Sequence, residues 1–331
     1  MTVPSRRRRF LAAAAGAVAV SLVVPGARGQ SRLRRIGVLS GFARADMDSN
    51  LNLLRQELEK LGWFEGRNIT ILEPRAADGI NERLPALAAD LLGEAPDVIV
   101  VLSTPATRAA MQASQTVPVV MAGVGNPVEN GLVPSLRHPG ANVTGSTFLA
   151  DESIRKLLQL LKEAAPRLQS VAFFVNPTNV AARPLLGFIR VDAPALGLRP
   201  QIVEVSSPAD FAPGFDAILR ERTESILSIP EPLIVSNRAA IGEFAQRHRF
   251  PLAVVGRREV MPAGALIAYA PANQYPQLTA RYVDQILKGA KPGELAVEQP
   301  SRFELLINMK TANALGLSIP QSILLVAEVV G

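Results

Sequence analysis

The 331-residue chain has no cysteine. That excludes disulfides, thiol chemistry and a lipid carried on an N-terminal cysteine. It has two histidines. His138 sits in a turn beside Pro139 and His248 near an expected helix end, and neither has the spaced partners a metal site needs. No G-x-S-x-G elbow and no Walker phosphate loop occur. Gly123-Val124-Gly125 opens like a dinucleotide fingerprint, but Val128 occupies the third glycine position and Pro127 intrudes. Enzyme signatures are therefore scarce, and no cofactor or metal is expected. After residue 30 no apolar run is long enough to span a bilayer.

Charge is also less abundant than the net value of +6 suggests. Five arginines (Arg6, Arg7, Arg8, Arg9 and Arg28) lie in residues 1–29, which hold no acid. Without them 30 basic residues face 29 acidic ones, so a nucleic-acid partner is not expected. Arg7-Arg8-Arg9-Phe10-Leu11 has twin-arginine form and precedes an apolar run to Val24. Ala27 and Gly29 then present small residues ahead of Gln30. Residues 1–29 accordingly read as a cleaved export signal, with Tat or Sec both open, and the mature protein as soluble and periplasmic without a lipid anchor.

What the chain does contain is a repeated alternation. With 48% hydrophobic and 19% charged residues it is globular, and its length suits about two domains. Apolar runs near Ile36, Ile69, Val98 and Val119 read as strands separated by amphipathic helices, and the pattern recurs near Val171, Ile202, Ile226 and Ala253. Alternation of this kind gives parallel sheets covered by helices on both faces. The expected fold is α/β, with two doubly wound parallel-sheet lobes joined by a multi-strand hinge. The expected division is 32–145 plus 271–300 for lobe 1 and 146–270 plus 301–331 for lobe 2.

Ligands in such sheets lie beyond the strand ends. After Val98–Leu102, Ser103-Thr104-Pro105 combines capping hydroxyls with a proline suited to the first helical turn, so free N–H groups there can hold an anion. Either hydroxyl also serves as a plain cap. Asn176 and Thr178 occupy the matching place in the second series. Glu231, between Pro230 and Pro232 at a strand end, either pairs with a ligand ammonium or is solvated. Phe42 and Tyr269 face either ligand or core, and Arg257, Arg258 and Glu259 either a ligand or one another. Trp63 is expected to pack.

Several motifs together resemble one family. They are Leu61-Gly62-Trp63-Phe64-Glu65-Gly66-Arg67-Asn68-Ile69, Arg83-Leu84-Pro85-Ala86-Leu87-Ala88, Asn126-Pro127-Val128, Pro139-Gly140-Ala141-Asn142-Val143-Thr144-Gly145, Val297-Glu298-Gln299-Pro300 and Phe303-Glu304-Leu305-Leu306-Ile307-Asn308. They resemble the bacterial ABC-transporter substrate-binding proteins that include the TrpX-type aromatic amino-acid binders, over nearly all of the mature chain. The resemblance implies a type I periplasmic-binding-protein fold, a small solute held between lobes, delivery to an ABC permease in the inner membrane, and no catalysis. A monomer is expected. Carried across by position, it implies a pocket of Ser40, Gly41, Phe42, Ser103, Thr104, Pro105, Ala106, Gly123, Gly125, Asn126, Asn176, Thr178, Glu231 and Arg258. Many relatives have Asp where Glu231 stands. Two alternatives use the same cleft: a periplasmic sensor for a receptor kinase, and an α/β enzyme.

Overall fold

β-Branched apolar runs make the strands, and their two-sided burial makes the sheets parallel and covered. The computed structural model describes residues 32–256, 264–272 and 275–331. The first sheet contains β1 (Arg34–Ser40), β2 (Ile69–Ile71), β3 (Arg75–Ala76), β4 (Val98–Leu102), β5 (Val119–Val124) and β6 (Val143–Thr147). Their order is β2-β1-β4-β5-β6, all parallel, with β3 beside β1 where β2 has ended. Ile36, Val38, Val98, Val100 and Val120 pack on one face beneath α1 (Arg44–Lys60). Leu39, Ile99, Val101, Val119 and Met121 pack on the other, against α2 (Leu84–Gly93) and α3 (Thr104–Ala113). Neighbouring residues of one strand thus serve opposite cores, as the two-residue period requires.

The second sheet contains β7 (Ser170–Val175), β8 (Arg199–Glu204), β9 (Ile226–Ser228), β10 (Leu252–Val254), β11 (Ile267–Pro271), β12 (Phe303–Asn308) and β13 (Glu328–Val330). Its order is β13-β12-β11-β10-β9-β7-β8. The strands from β7 to β11 are parallel, β12 runs antiparallel to β11, and β13 parallel to β12. The helices of this half are α4 (Ala150–Ala164), α5 (Ala182–Ala195), α6 (Phe211–Arg220), α7 (Pro232–Ser236) and α8 (Arg238–Arg247). Phe173 and Phe174 are fully buried at its centre, and Phe174, Phe211, Phe215 and Phe244 form a chain of ring contacts. The helix α7 was not expected. Glu231-Pro232 opens it, with a side-chain cap and a proline in its first turn.

The chain crosses between the halves three times. β6 leaves the first sheet for α4 through Phe148 and Leu149, the latter left-handed at φ 52°. After β11 the chain returns as α9 (Tyr275–Leu287), whose Ala280, Tyr282, Val283, Ile286 and Leu287 join the core of Met47, Leu51, Leu54 and Leu58. Glu298 then pairs with Ser146 before the chain re-enters the second sheet at β12. Two short helices, α10 (Met309–Leu315) and α11 (Gln321–Leu324), close it. Trp63 packs as expected, and its Nε1 donates to Asp284 Oδ1 on α9 at 2.8 Å. Among the described residues no helix is long and apolar enough to cross a membrane.

Candidate functional site

In each sheet the chain's first strand lies between strands reached by connections in opposite directions. The switch falls between β1 and β4 in one sheet and between β7 and β9 in the other, and ligands gather at such points. A cleft of about 310 Å³ lies between the loops at these strand ends, at the small end of ligand pockets.

On the first wall, β4 is followed by Ser103, a non-glycine residue at φ 99°, ψ 153°. Such a backbone costs about 1–3 kcal/mol and persists where surrounding contacts impose it. Here Thr107 donates to the Ser103 carbonyl from both its N–H (3.1 Å) and its hydroxyl (2.9 Å). The Ala106 N–H reaches Ser103 Oγ at 3.4 Å. Ser103 and Thr104 both line the cleft at the start of α3, where the helix dipole favours an anion. Gly41 explains itself here. A Cβ on it would fall 2.5 Å from Ser103 Oγ and 2.9 Å from Pro232 Cγ of the facing wall.

On the second wall stands Glu231, 5% exposed. Asn176 Nδ2 and Asn179 Nδ2 donate to its Oε1 at 3.2 and 3.4 Å, and the Ile234 N–H to its Oε2 at 3.2 Å. Burial pushes its carboxyl up to about 7, against the opposing pull of these donors. Of the two expectations for Glu231, the solvated one fails: the acid is enclosed and faces the cleft. Asn176 also differs from expectation. It does not start a helix, because α5 begins only at Ala182; its amide instead holds Glu231, while its Oδ1 accepts from Thr178 N and Oγ1.

A third group comes from the loop after β5. Gly123, Gly125 and Asn126 line the cleft with Asn130, Phe148 and Asp151. Asn126, at φ 42°, caps the start of α4 by accepting from the Ala150 N–H at 3.1 Å. Phe148 covers Gly125 so closely that a Cβ there would fall 2.9 Å from the ring. Phe42, Leu185, Val235 and Tyr275 supply apolar surface.

Eight expected residues therefore meet in the cleft: Phe42, Ser103, Thr104, Gly123, Gly125, Asn126, Asn176 and Glu231. Ser40, Gly41, Pro105 and Ala106 do not line it. Ser40 is fully buried and its Oγ accepts from the Phe42 N–H, and Pro105 and Ala106 face the core behind α3. Thr178 sits exposed outside, where its Oγ1 accepts from Asn81 Nδ2 at 3.1 Å. Tyr269 stacks on Phe303 instead of facing the cleft. Arg257, Arg258 and Glu259 lie outside the described residues.

Sequence reasoning missed Asp46, Asn130, Asp151, Arg238 and Tyr275, all of which line the cleft. Asp46 and Arg238 form a 2.8 Å ion pair from α1 to α8, joining the two walls. A stricter search of the first turn after each strand would have found Asp46 and Asp151. Arg238 gave no local signal, because its partner Asp46 lies on α1.

The family model described as ABC transporter substrate binding protein matches residues 36–330. A "Tyrosine-binding protein" of Clostridioides difficile (strain R20291) is 26% identical over 291 residues, covering 85% of this chain and 81% of that protein. A solved conserved domain protein from Vibrio cholerae is 27% identical, with a TM-score of 0.83 over 90% of this chain and 99% of that one. An ABC domain from Streptococcus pneumonia in complex with L-Trp is 23% identical, with a TM-score of 0.82 over 90% and 100%. Two lobes of the type I periplasmic-binding kind, a solute-sized cleft between them and a match across nearly the whole described chain agree, and the protein belongs to the ABC transporter substrate-binding protein family, which binds small molecules and is not a family of enzymes.

Proposed function

We propose that the protein captures an amino-acid-like solute in the interlobe cleft and delivers it to an ABC importer, after export across the inner membrane under the direction of residues 1–29. The observation that carries this reading is the pairing of opposite preferences in one small cleft. A helix start with Ser103 and Thr104 suits a carboxylate, and the enclosed Glu231 suits an ammonium. Relatives whose names or complexes specify tyrosine and L-Trp support the amino-acid class. The ion pair Asp46–Arg238 and the bond from Asn81 to Thr178 join the walls directly, as a closed form needs. Contacts made by ligand to both walls then shift the population toward closure.

Calorimetry with the twenty amino acids tests this. At least one is expected to bind with micromolar or tighter affinity. Thr104→Val is expected to weaken it about tenfold or more while the ligand-free melting temperature stays within about 2 °C. Unchanged affinity in that variant removes the helix start from the site.

A further inference from the structure

We propose that the edge of the second sheet farthest from the cleft is a docking surface for an anionic phospholipid membrane, built on six exposed arginines. This goes beyond solute capture and does not depend on what the cleft binds.

The edge is where the strands begin. Ser170 of β7 pairs with Arg199 of β8, and Ile226 of β9 with Leu252 of β10, so the starts of β8, β7, β9 and β10 lie side by side across about 14 Å. The cleft lies at their other ends, around Val175, Ile229 and Val255. The segments that lead into these starts carry Arg167, Arg199, Arg220, Arg222, Arg247 and Arg249, all exposed. The acids of the edge already have partners. Ser322 Oγ donates to Glu163 at 2.6 Å, Arg199 lies 3.9 Å from Glu221, and the Gln169 N–H donates to Glu224 at 2.6 Å. Among the described residues the other five arginines have no ion-pair partner. A chain whose residues after the leader number 30 basic and 29 acidic thus concentrates positive charge at this end.

Two of the arginines show that this is more than scattered surface charge. Arg220 and Arg247 sit in the last turns of α6 and α8, where a cation suits the helix dipole. The dipole does not explain Arg222 and Arg249, where another residue fits the backbone better. Each follows its helix in the left-handed region, at φ 54° and 59°, which is costly for a residue with a Cβ. After α1, α5, α9 and α10 the same bend is taken by Gly62, Gly197, Gly289 and Gly316. Among the described residues the bend after α2, at Ala95, is the other one without glycine. The chain therefore forgoes the fitting residue at two places where arginine adds to this edge.

Guanidinium groups spread over such a distance suit a plane of phosphates, which they meet in forked hydrogen bonds, better than one small anion. Leu219, 39% exposed beside Arg220, offers an apolar side chain to the headgroup boundary. An anionic bilayer matches both features. Held by this edge, the protein keeps its cleft turned from the membrane and open to solute.

Flotation with phosphatidylglycerol vesicles tests this on residues 30–331, since 33–331 form one compact body without the arginines of the leader. Binding is expected at about 0.05 M salt, is lost at about 0.5 M, and does not occur on phosphatidylcholine. An arginine at such a surface is worth about fivefold in partitioning, so Arg222→Gly with Arg249→Gly should weaken binding about twentyfold or more. The melting temperature of that variant should hold or rise, because glycine relieves the bend. Asparagine also accepts the left-handed backbone, and Arg222→Asn with Arg249→Asn should show the same loss. Removing two exposed arginines elsewhere, by Arg67→Gln with Arg137→Gln, should cost less than about twofold. Failure to bind anionic vesicles in a salt-sensitive way, or equal losses from the two pairs of sites, overturns the proposal. Tighter binding to a DNA duplex than to the vesicles overturns the membrane as partner. None of these results bears on the cleft, whose ligand affinity the variants at residues 222 and 249 should leave unchanged.

Discussion

Replacing Glu231 by Gln should flatten the acid side of the stability profile of the ligand-free protein. Burial lifts the folded-state value from 4.5 to about 7. One unit corresponds to about 1.4 kcal/mol, so the shift is worth about 3 kcal/mol. The sign follows from which state holds the proton more tightly. Between pH 4.5 and 7 the folded protein keeps a proton that the unfolded chain has released. Stability from this group is therefore full below pH 4.5 and is lost as pH rises to about 7, the reverse of a salt-bridged acid. For a chain of this size the loss corresponds to roughly 5–10 °C in melting temperature. Gln cannot ionise but has one acceptor oxygen fewer for Asn176, Asn179 and Ile234, which offsets about 1 kcal/mol. The variant should thus be more stable than the native protein at pH 8 by about 2 kcal/mol, and bind ligand more weakly. Asp151 is shifted in the same direction by burial, so a residual slope survives in the variant. Melting curves of both proteins at half-unit steps from pH 4.5 to 8 decide the matter. Parallel profiles would show that Glu231 is not desolvated in solution and refute the reasoning.

Other consequences concern closure and packing. Gly79, at φ 82°, lies where a Cβ would fall 2.7 Å from Leu233 Cα of the facing half. Gly79→Ala is expected to hold the lobes apart, giving a larger radius of gyration by solution scattering with ligand present and about tenfold weaker binding. Asp46→Asn removes the Asp46–Arg238 pair, whose side chains are 15% and 40% exposed. Its cost should stay near 1 kcal/mol or below, read in stopped-flow as a ligand off-rate about two- to fivefold faster. High salt should bring the native rate toward that of the variant. Trp63→Phe leaves Asp284 to Lys288 alone and should cost about 1–2 kcal/mol in urea unfolding, without changing ligand affinity.

The strands were legible because their chemistry is local. Val98–Leu102 and Val171–Val175 are apolar on both faces, as strands of a covered parallel sheet are. The walls of the cleft were legible in part for the same reason, since Ser103, Thr104 and Glu231 follow such runs directly. What was not legible depended on distance in the chain. Asn176 looked like a helix cap from its neighbours, whereas its amide is set by Glu231, 55 residues later. Thr178 looked like its equal and instead points to Asn81 outside the cleft. Arg238 required knowing that α8 faces Asp46 of α1, far earlier in the chain. Asn130 lines the cleft from a loop where its amide bonds the Gly125 carbonyl, a contact that no periodic pattern announces.

The cleft brings two unequal tendencies into one place. Contacts that join the halves without ligand include, among the described residues, a partly exposed ion pair, the Asn81–Thr178 bond, and close packing of Gly41 on Pro232 and Gly79 on Leu233, each of them modest. Glu231 is enclosed by partners of its own wall, Asn176, Asn179 and Ile234, so keeping it ionised above pH 7 costs the ligand-free fold about 3 kcal/mol, more than a single surface pair returns. An ammonium beside Glu231 reverses that balance. It stabilises the ionised form, lowers the carboxyl toward its ordinary range, and turns the largest opposing contribution into an attraction between ligand and wall. On the proposed reading, then, the buried acid favours a cleft that holds a cation. Near pH 6, where Glu231 is mostly protonated in the empty protein, capture should release close to one proton per ligand. Calorimetric titration in two buffers of different ionisation enthalpy measures that number directly. A value of zero at pH 6 would mean that the ligand's cation does not reach Glu231, and that closure is driven from the other walls of the cleft.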